Sequence, residues 1–237
     1  MISAKIKPGY TPRLLAVFSF RHDAHLVPSL IANIAPMVDG WVSYDDRAST
    51  EVFSNEVQRR TALLQAAREL GASWALAVDP DERFDTRLAG EIRALTQASE
   101  ANAISFALRE MYARDTYRVD GIWGGKRQVR LLRIADGVLA PEGHLHLSWA
   151  AFIPGARIAH ADFNLYHLKM ITPERRRARA ALYNHLDPER RMQKMGYDYL
   201  ADDAGAEFAR IGHERAYFPA HREDGGLWMP QVSTAAS

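Results

Sequence analysis

The chain has 237 residues, 47% of them apolar, enough to bury one large core or one core with a small appendage. It contains no cysteine, which excludes disulfides and thiolate metal sites, leaves oxygen and imidazole as metal donors, and fits a reducing cytoplasm. A net charge of +1 supplies no general field for nucleic acid, and no apolar run approaches the roughly 20 residues of a membrane helix, so a soluble, cytoplasmic protein with no membrane span is expected.

Residues 13–20 (RLLAVFSF) predict a first strand, left through Arg21, His22 and Asp23. Asp23 is placed to cap a helix running to about Pro36, with Leu26, Leu30, Ile31 and Ile34 inward. Residues 40–44 (GWVSY) predict a second short strand, and it stops at Asp45 and Asp46. From 51 to 70, Phe53, Val57, Leu64 and Ala67 follow helical spacing, and Gly71 stands where a glycine would end that helix. Residues 74–78 (WALAV) are a nearly unbroken apolar run, as expected of a strand buried on both faces. Strand, helix, strand, helix, strand is the pattern of a parallel sheet with right-handed crossovers, so an α/β fold with a mostly parallel sheet is predicted.

Further on, Leu88, Ile92 and Leu95 mark a helix, and residues 103–109 a strand. Residues 110–126, with aromatics, charges and three glycines, read as a long loop or hairpin. Residues 128–134 (QVRLLRI) read as a strand in the other half of the sheet. Thr172, Pro173 and Glu174 are a cap, a first-turn proline and a dipole-compatible acid, predicting a helix to about Leu186. Asp187, Pro188 and Glu189 repeat that start signal, and beyond residue 202 the pattern weakens. The cluster Arg175, Arg176, Arg177 and Arg179 reads as a solvated helix face or a phosphate contact.

The chemistry is concentrated where the buried strand 74–78 ends in Asp79, Asp81 and Glu82. In open α/β sheets ligands bind at that edge, and clustered carboxylates repel unless a cation or solvent sits among them. A hard divalent ion, Mg²⁺ or Mn²⁺, suits such a cluster. A solvated acidic turn, with Asp85 or Thr86 capping the next helix, is the alternative.

Asp45 and Asp46 followed by Ser49 and Thr50, the helix with Arg59 and Arg60, and then WALAVDPDE form an ordered set that resembles the nucleotide-sugar half of family 2 glycosyltransferases with the GT-A fold. The first acidic pair resembles that family's paired aspartates, and Asp79-Pro80-Asp81 its Asp-any-Asp metal motif. The likeness covers about residues 13–133 and continues loosely through His167 and the arginine-rich helix. It implies one GT-A-like domain over residues 1–200, with the nucleotide-sugar half at about 13–110, an acceptor half at about 111–200, and an extension at 201–237. It further implies that Asp45 or Asp46 holds the base or ribose of a nucleoside-diphosphate sugar, and that Arg60, with Arg59, contacts phosphate. Asp81, Asp79 and His167 would hold the divalent metal, with His160 the next candidate histidine. Inverting members of the family take the proton from the acceptor hydroxyl with a carboxylate, often in a Glu-Asp pair. No such pair stands in the expected region, which leaves Glu142 and Asp120 as candidate bases. Tyr112, Tyr117, Trp123 and Trp149 are suited to stacking on a sugar or to the core.

The expected activity is metal-dependent transfer of a sugar to a hydroxyl acceptor. Two other readings share the carboxylates: a metal-dependent nucleotidyltransferase or phosphohydrolase, and a non-catalytic carbohydrate- or nucleotide-binding module. The first is disfavoured because RHDAH, not a glycine-rich loop, follows the first strand.

Overall fold

The computed structural model describes residues 1–49, 55–98, 100–142 and 147–220, so Thr50, Phe53 and the expected start of the second helix lie outside the described residues. Strands β1 (Ile2–Ile6), β2 (Leu14–Phe20), β3 (Gly40–Asp45), β4 (Trp74–Ala77) and β5 (Glu82–Phe84) alternate with helices α1 (Val27–Ile34) and α2 (Glu56–Glu69). They are followed by α3 (Leu88–Ala98), β6 (Ala103–Ala113), β7 (Thr116–Arg118), β8 (Arg127–Arg133), β9 (Ile158–His167), α4 (Pro173–Leu186) and β10 (Phe208–Arg210). The strands form one mixed sheet in the order β1-β3-β2-β4-β8-β6-β7-β10, with β9 beside β6 and β5 beside β9.

The expected parallel unit is its centre, where β2 pairs in parallel with β3 on one side and β4 on the other. Antiparallel β8 then separates β4 from β6, and β6 in turn pairs in parallel with β9. The sheet is therefore mixed, because hairpins and edge strands surround the βαβαβ core. The N-terminal strand β1, which the sequence pattern did not predict, pairs antiparallel with β3. That pairing requires Gly40, since a Cβ there would lie 2.3 Å from the carbonyl oxygen of Lys5.

Alternation along β2 sorts its side chains to two faces. Leu14, Ala16 and Phe18 join Leu30 and Ile34 of α1 and Leu88 and Ile92 of α3 in one buried cluster. Leu15 and Val17 join Leu63, Leu64 and Ala67 of α2, with Trp149 and Phe152, in the other. The helices following β2 and β3 thus cover opposite faces, which opens a crevice at the carboxyl ends of these strands. Helix α2 starts at Asn55, whose side chain accepts the Gln58 amide, and ends ahead of Gly71 at φ +95, as the glycine signal predicted.

Several local expectations give way to burial. Asp23 makes no cap; a short 3₁₀ turn, Ala24–Leu26, leads into α1, and the Asp23 carboxylate faces α4 instead. Residues 110–126 extend β6 and form the β6–β7 hairpin, followed by a 3₁₀ turn at Gly121–Trp123. Asp187 starts no helix; its carboxylate accepts the amides of Arg191, Met192 and Gln193 and the Tyr197 hydroxyl, closing a turn. After residue 200 the chain still contributes to the fold, through β10 on β7, a bridge between Asp85 and Tyr217, and the Phe218 carbonyl on Asn33.

Candidate functional site

A cleft of about 600 Å³ runs across the carboxyl ends of the central strands. Phe20 to Asp23 after β2, Asp46 after β3 and Asp79 to Glu82 after β4 form its floor, and Arg59 and Arg60 of α2 one wall. Lys126 just before β8, Gln128 and Arg130 within it, Glu110 of β6, His167 and Lys169 at the end of β9, and Arg179 and Tyr183 of α4 form the other. The two acidic strand ends therefore open into one space.

Among the residues singled out from sequence, Asp46, Arg60, Asp79, Asp81 and His167 line this cleft, whereas Asp45, Asp120 and Glu142 do not. Asp45 turns to Arg47, which donates to its two oxygens at 2.9 and 2.7 Å. Asp120 is held by Arg118 at 2.7 and 2.9 Å and accepts the Glu207 amide, in the corner made by β7 and β10. Glu142 is exposed. His160 bonds Ser105 Oγ at 2.6 Å, an ordinary structural histidine. Of the four aromatic candidates only Trp149 reaches the cleft, with the Arg60 guanidinium 4.5 Å from its ring centre.

Every carboxylate lining the cleft has a cationic partner. Asp46 accepts from Arg59 at 2.6 Å, and Glu56 pairs with Arg60 at 2.9 Å. Arg130, buried, bridges Asp79 at 3.0 Å and Glu82 at 2.6 and 2.9 Å. Asp23 meets both Arg175 and Arg179. Arginines 175, 176 and 179 are thus buried and only Arg177 is exposed, so the arginine-rich helix is not a solvated face. For Arg175 and Arg179 the cause is the buried Asp23 opposite, since a buried carboxylate left unpaired is costly; Arg176 instead donates to the Met170 carbonyl and to Asp203.

Asp81 and His167 meet where the acidic turn after β4 reaches the end of β9. The Asp81 carbonyl accepts the Leu168 amide at 2.6 Å, which ties the acidic turn to the end of β9. One Asp81 oxygen accepts from Arg179 at 2.9 Å; the other faces His167 Nε2 at 3.5 Å, beyond ordinary hydrogen-bond length. On the far edge of the ring, Nδ1 lies 2.9 Å from Glu110 Oε2, an ion-pair approach not aligned as a hydrogen bond. Burial alone would favour the neutral ring, but Glu110 and Asp81 together push His167 up to about 10. Burial opposes charge on Asp81 and Glu110 too, yet His167, with Arg179 and Arg175, holds Asp81 well below the usual range, and His167, with Lys126, holds Glu110 at about 2.

These residues fit a divalent metal of limited protein coordination. Among the described residues no three Asp, Glu or His side chains converge as a metal cluster. Yet one Asp81 oxygen and His167 Nε2 face each other across a gap too long for a hydrogen bond, a carboxylate backs the histidine as is usual for metal-ligating imidazoles, and an ion bound there would take the place of the Nε2 proton. Mg²⁺ is commonly held by one or two protein groups, with phosphates and water completing the shell. Asp79, 40% exposed and bound to Arg130 through one oxygen, is the more open of the two motif aspartates, and Asp81 is the one that faces the histidine.

Sequence reasoning missed Glu110, Lys126, Arg130, Lys169 and Tyr183, all on the cleft, and named Arg179 only within the arginine cluster. For Glu110 the signal was present: an acid just past the predicted strand 103–109, the pattern that drew attention to Asp45 and Asp79.

No protein-family model matches the chain, and no curated protein does. Among solved structures, S. aureus TarS residues 1–349 is similar at 9% identity and a TM-score of 0.44, over 79% of this chain and 68% of that one. A glycosyltransferase involved in the glycosylation of the major capsid of PBCV-1 is similar at 16% identity and a TM-score of 0.32, over 52% and 61%. Likenesses this distant decide no chemistry, and the functional reading rests on the cleft itself.

Proposed function

We propose that this chain is a glycosyltransferase of GT-A-like architecture, moving a sugar from a nucleoside-diphosphate donor to a hydroxyl acceptor. One observation carries the reading: Asp46 and Asp81, at the ends of two strands that flank β2, line a single cleft whose walls are arginine and lysine. A nucleoside diphosphate needs acceptors for its sugar and base hydrogens at one end and cations at the other. Asp46, steadied by Arg59, serves the first need; it is the second of the two residues to which the family likeness gave that role. Arg60, fixed on Trp149 and Glu56, and Lys169 serve the second.

Asp81 and His167 would hold the divalent metal expected beside the diphosphate. Such an ion supplies positive charge that stabilises the departing nucleoside diphosphate. Arg179 and Arg175 orient the Asp81 carboxylate from behind, and Glu110, Lys126 and Tyr183 line the end of the cleft where the acceptor enters.

Incubation with a panel of nucleotide sugars and Mn²⁺ tests the reading. Slow release of nucleoside diphosphate, lost in D81N, is the expected result. Pyrophosphate release would point instead to nucleotidyl transfer, and binding of nucleotide sugars without turnover to a module; either outcome overturns the proposal.

A further inference from the structure

The position of Glu110 explains more than cleft lining. It sits in β6 at the residue paired in register with His167 of β9, and His167 is also paired in register with Glu82 of β5. Three strands therefore fix where the histidine backbone lies, but not how its ring is turned. Among the described residues, Glu110 Oε2 at 2.9 Å from Nδ1 and Asp81 Oδ1 at 3.5 Å from Nε2 meet the ring edges. Glu110 is itself held on the opposite side, where Lys126 Nζ lies 3.5 Å from Oε1 and stacks on the Trp123 ring at 3.8 Å. The carboxylate is buried, so no surface role accounts for it.

We propose that Glu110 is a positioning residue, anchored by Lys126, that holds the Nδ1 edge of His167 so that Nε2 is presented beside Asp81 as a metal ligand. Glu110 cannot share the ion, because the imidazole ring stands between its carboxylate and Asp81. The inference rests on the metal reading above. What it adds is a residue that no sequence motif marked, and a division of labour in which one acid binds the ion and another aims the histidine. Loss of such an outer partner typically weakens metal binding about 10- to 100-fold.

The experiment measures Mn²⁺ binding to the full chain by calorimetry, with UDP present and absent, and records the pulsed EPR signal of bound Mn²⁺ for histidine-nitrogen coupling. Wild type should bind Mn²⁺ with nitrogen coupling that disappears in H167A. In E110A the affinity should fall about 10- to 100-fold and the coupling should vanish, while Mn²⁺ retained on Asp81 still gives an oxygen-only signal. E110Q, closer in shape, should fall at the lower end, and it decides the matter if E110A does not fold. Wild type without nitrogen coupling would remove the metal role of His167 and the inference with it. Wild-type coupling that persists in E110A or E110Q, at an affinity within twofold, would overturn the positioning role alone and leave the metal reading standing.

Discussion

Two acidic strand ends open into the same cleft, but they are built differently. At the end of β3 the acids divide: Asp45 folds back on its neighbour Arg47, and Asp46 is steadied by Arg59 of the next helix. All of these partners come from within 13 residues. After β4, Asp81 is met by His167, Arg175 and Arg179, residues brought from the far end of the chain. The local arrangement suits an acceptor for a neutral hydroxyl or base. The distant one concentrates buried charge, where electrostatic interactions are strongest and where an ion and a diphosphate would gain most from them.

The sharpest way to break that contrast is D81N, which keeps shape and removes charge. Donor turnover with Mn²⁺ should fall on the order of 10²- to 10³-fold while circular dichroism still reports a folded chain. Unchanged turnover would make the two strand ends equivalent.

The next test separates binding from architecture. Burial pushes the Glu82 carboxyl up, and Arg130 opposes that shift. R130M should leave a buried acid uncompensated and lower stability by about 3–5 kcal/mol, read from urea unfolding. A loss below about 1 kcal/mol would mean that water reaches Glu82.

A third acid supplies the purely structural reference. Burial works against the charge of Asp39, but Arg93 and the Leu14 and Arg13 amides prevail and lower its pKa. A carboxylate depressed in the folded state stabilises above its unfolded pKa, and that contribution is lost as pH falls through the folded value. D39N should therefore cost about 1–3 kcal/mol at pH 7, with no effect on nucleotide binding, and the penalty should shrink as the pH drops below about 4. A gap between the two denaturation midpoints that stays constant into acid would contradict this.

The smallest effects belong to the acids that lie off the cleft. D45N, D120N and E142Q should each change donor turnover by less than about twofold, since none of the three lines the cleft. A tenfold loss in any of them would place it back in the reaction.

The contrast also explains what the sequence pattern could reveal. The β2-to-β4 core was legible because Leu14 to Phe18 and Trp74 to Ala77 are buried on both faces, and such strands read as unbroken apolar runs. Asp46 and Asp81 stood out as charge just past a strand, Asp46 after β3 and Asp81 after β4. Arg175, Arg176 and Arg179 share one helix face with Arg177 pointing away, and that spacing was readable, but a basic face is ordinarily solvated and the acid that buries this one lies 150 residues earlier. Asp120 and Glu142 were proposed because an acid was sought in the later half of the chain. Glu110 escaped because the predicted strand ended one residue before it and its significance depends on register with β9. Asp187 mimicked a helix start because an Asp-Pro turn, like a helix N-terminus, turns backbone amides toward the carboxylate, here those of Arg191, Met192 and Gln193.

The buried linkage of Asp23 to Arg175 and Arg179 joins the first turn after β2 to the last long helix. During synthesis, a ribosome that has released only the βαβαβ core presents Asp23 and Asp81 without counterions, as a patch of mutual repulsion. The cleft as described is therefore complete only once the carboxy-terminal third is in place, because the counterions of its two buried acids come from there.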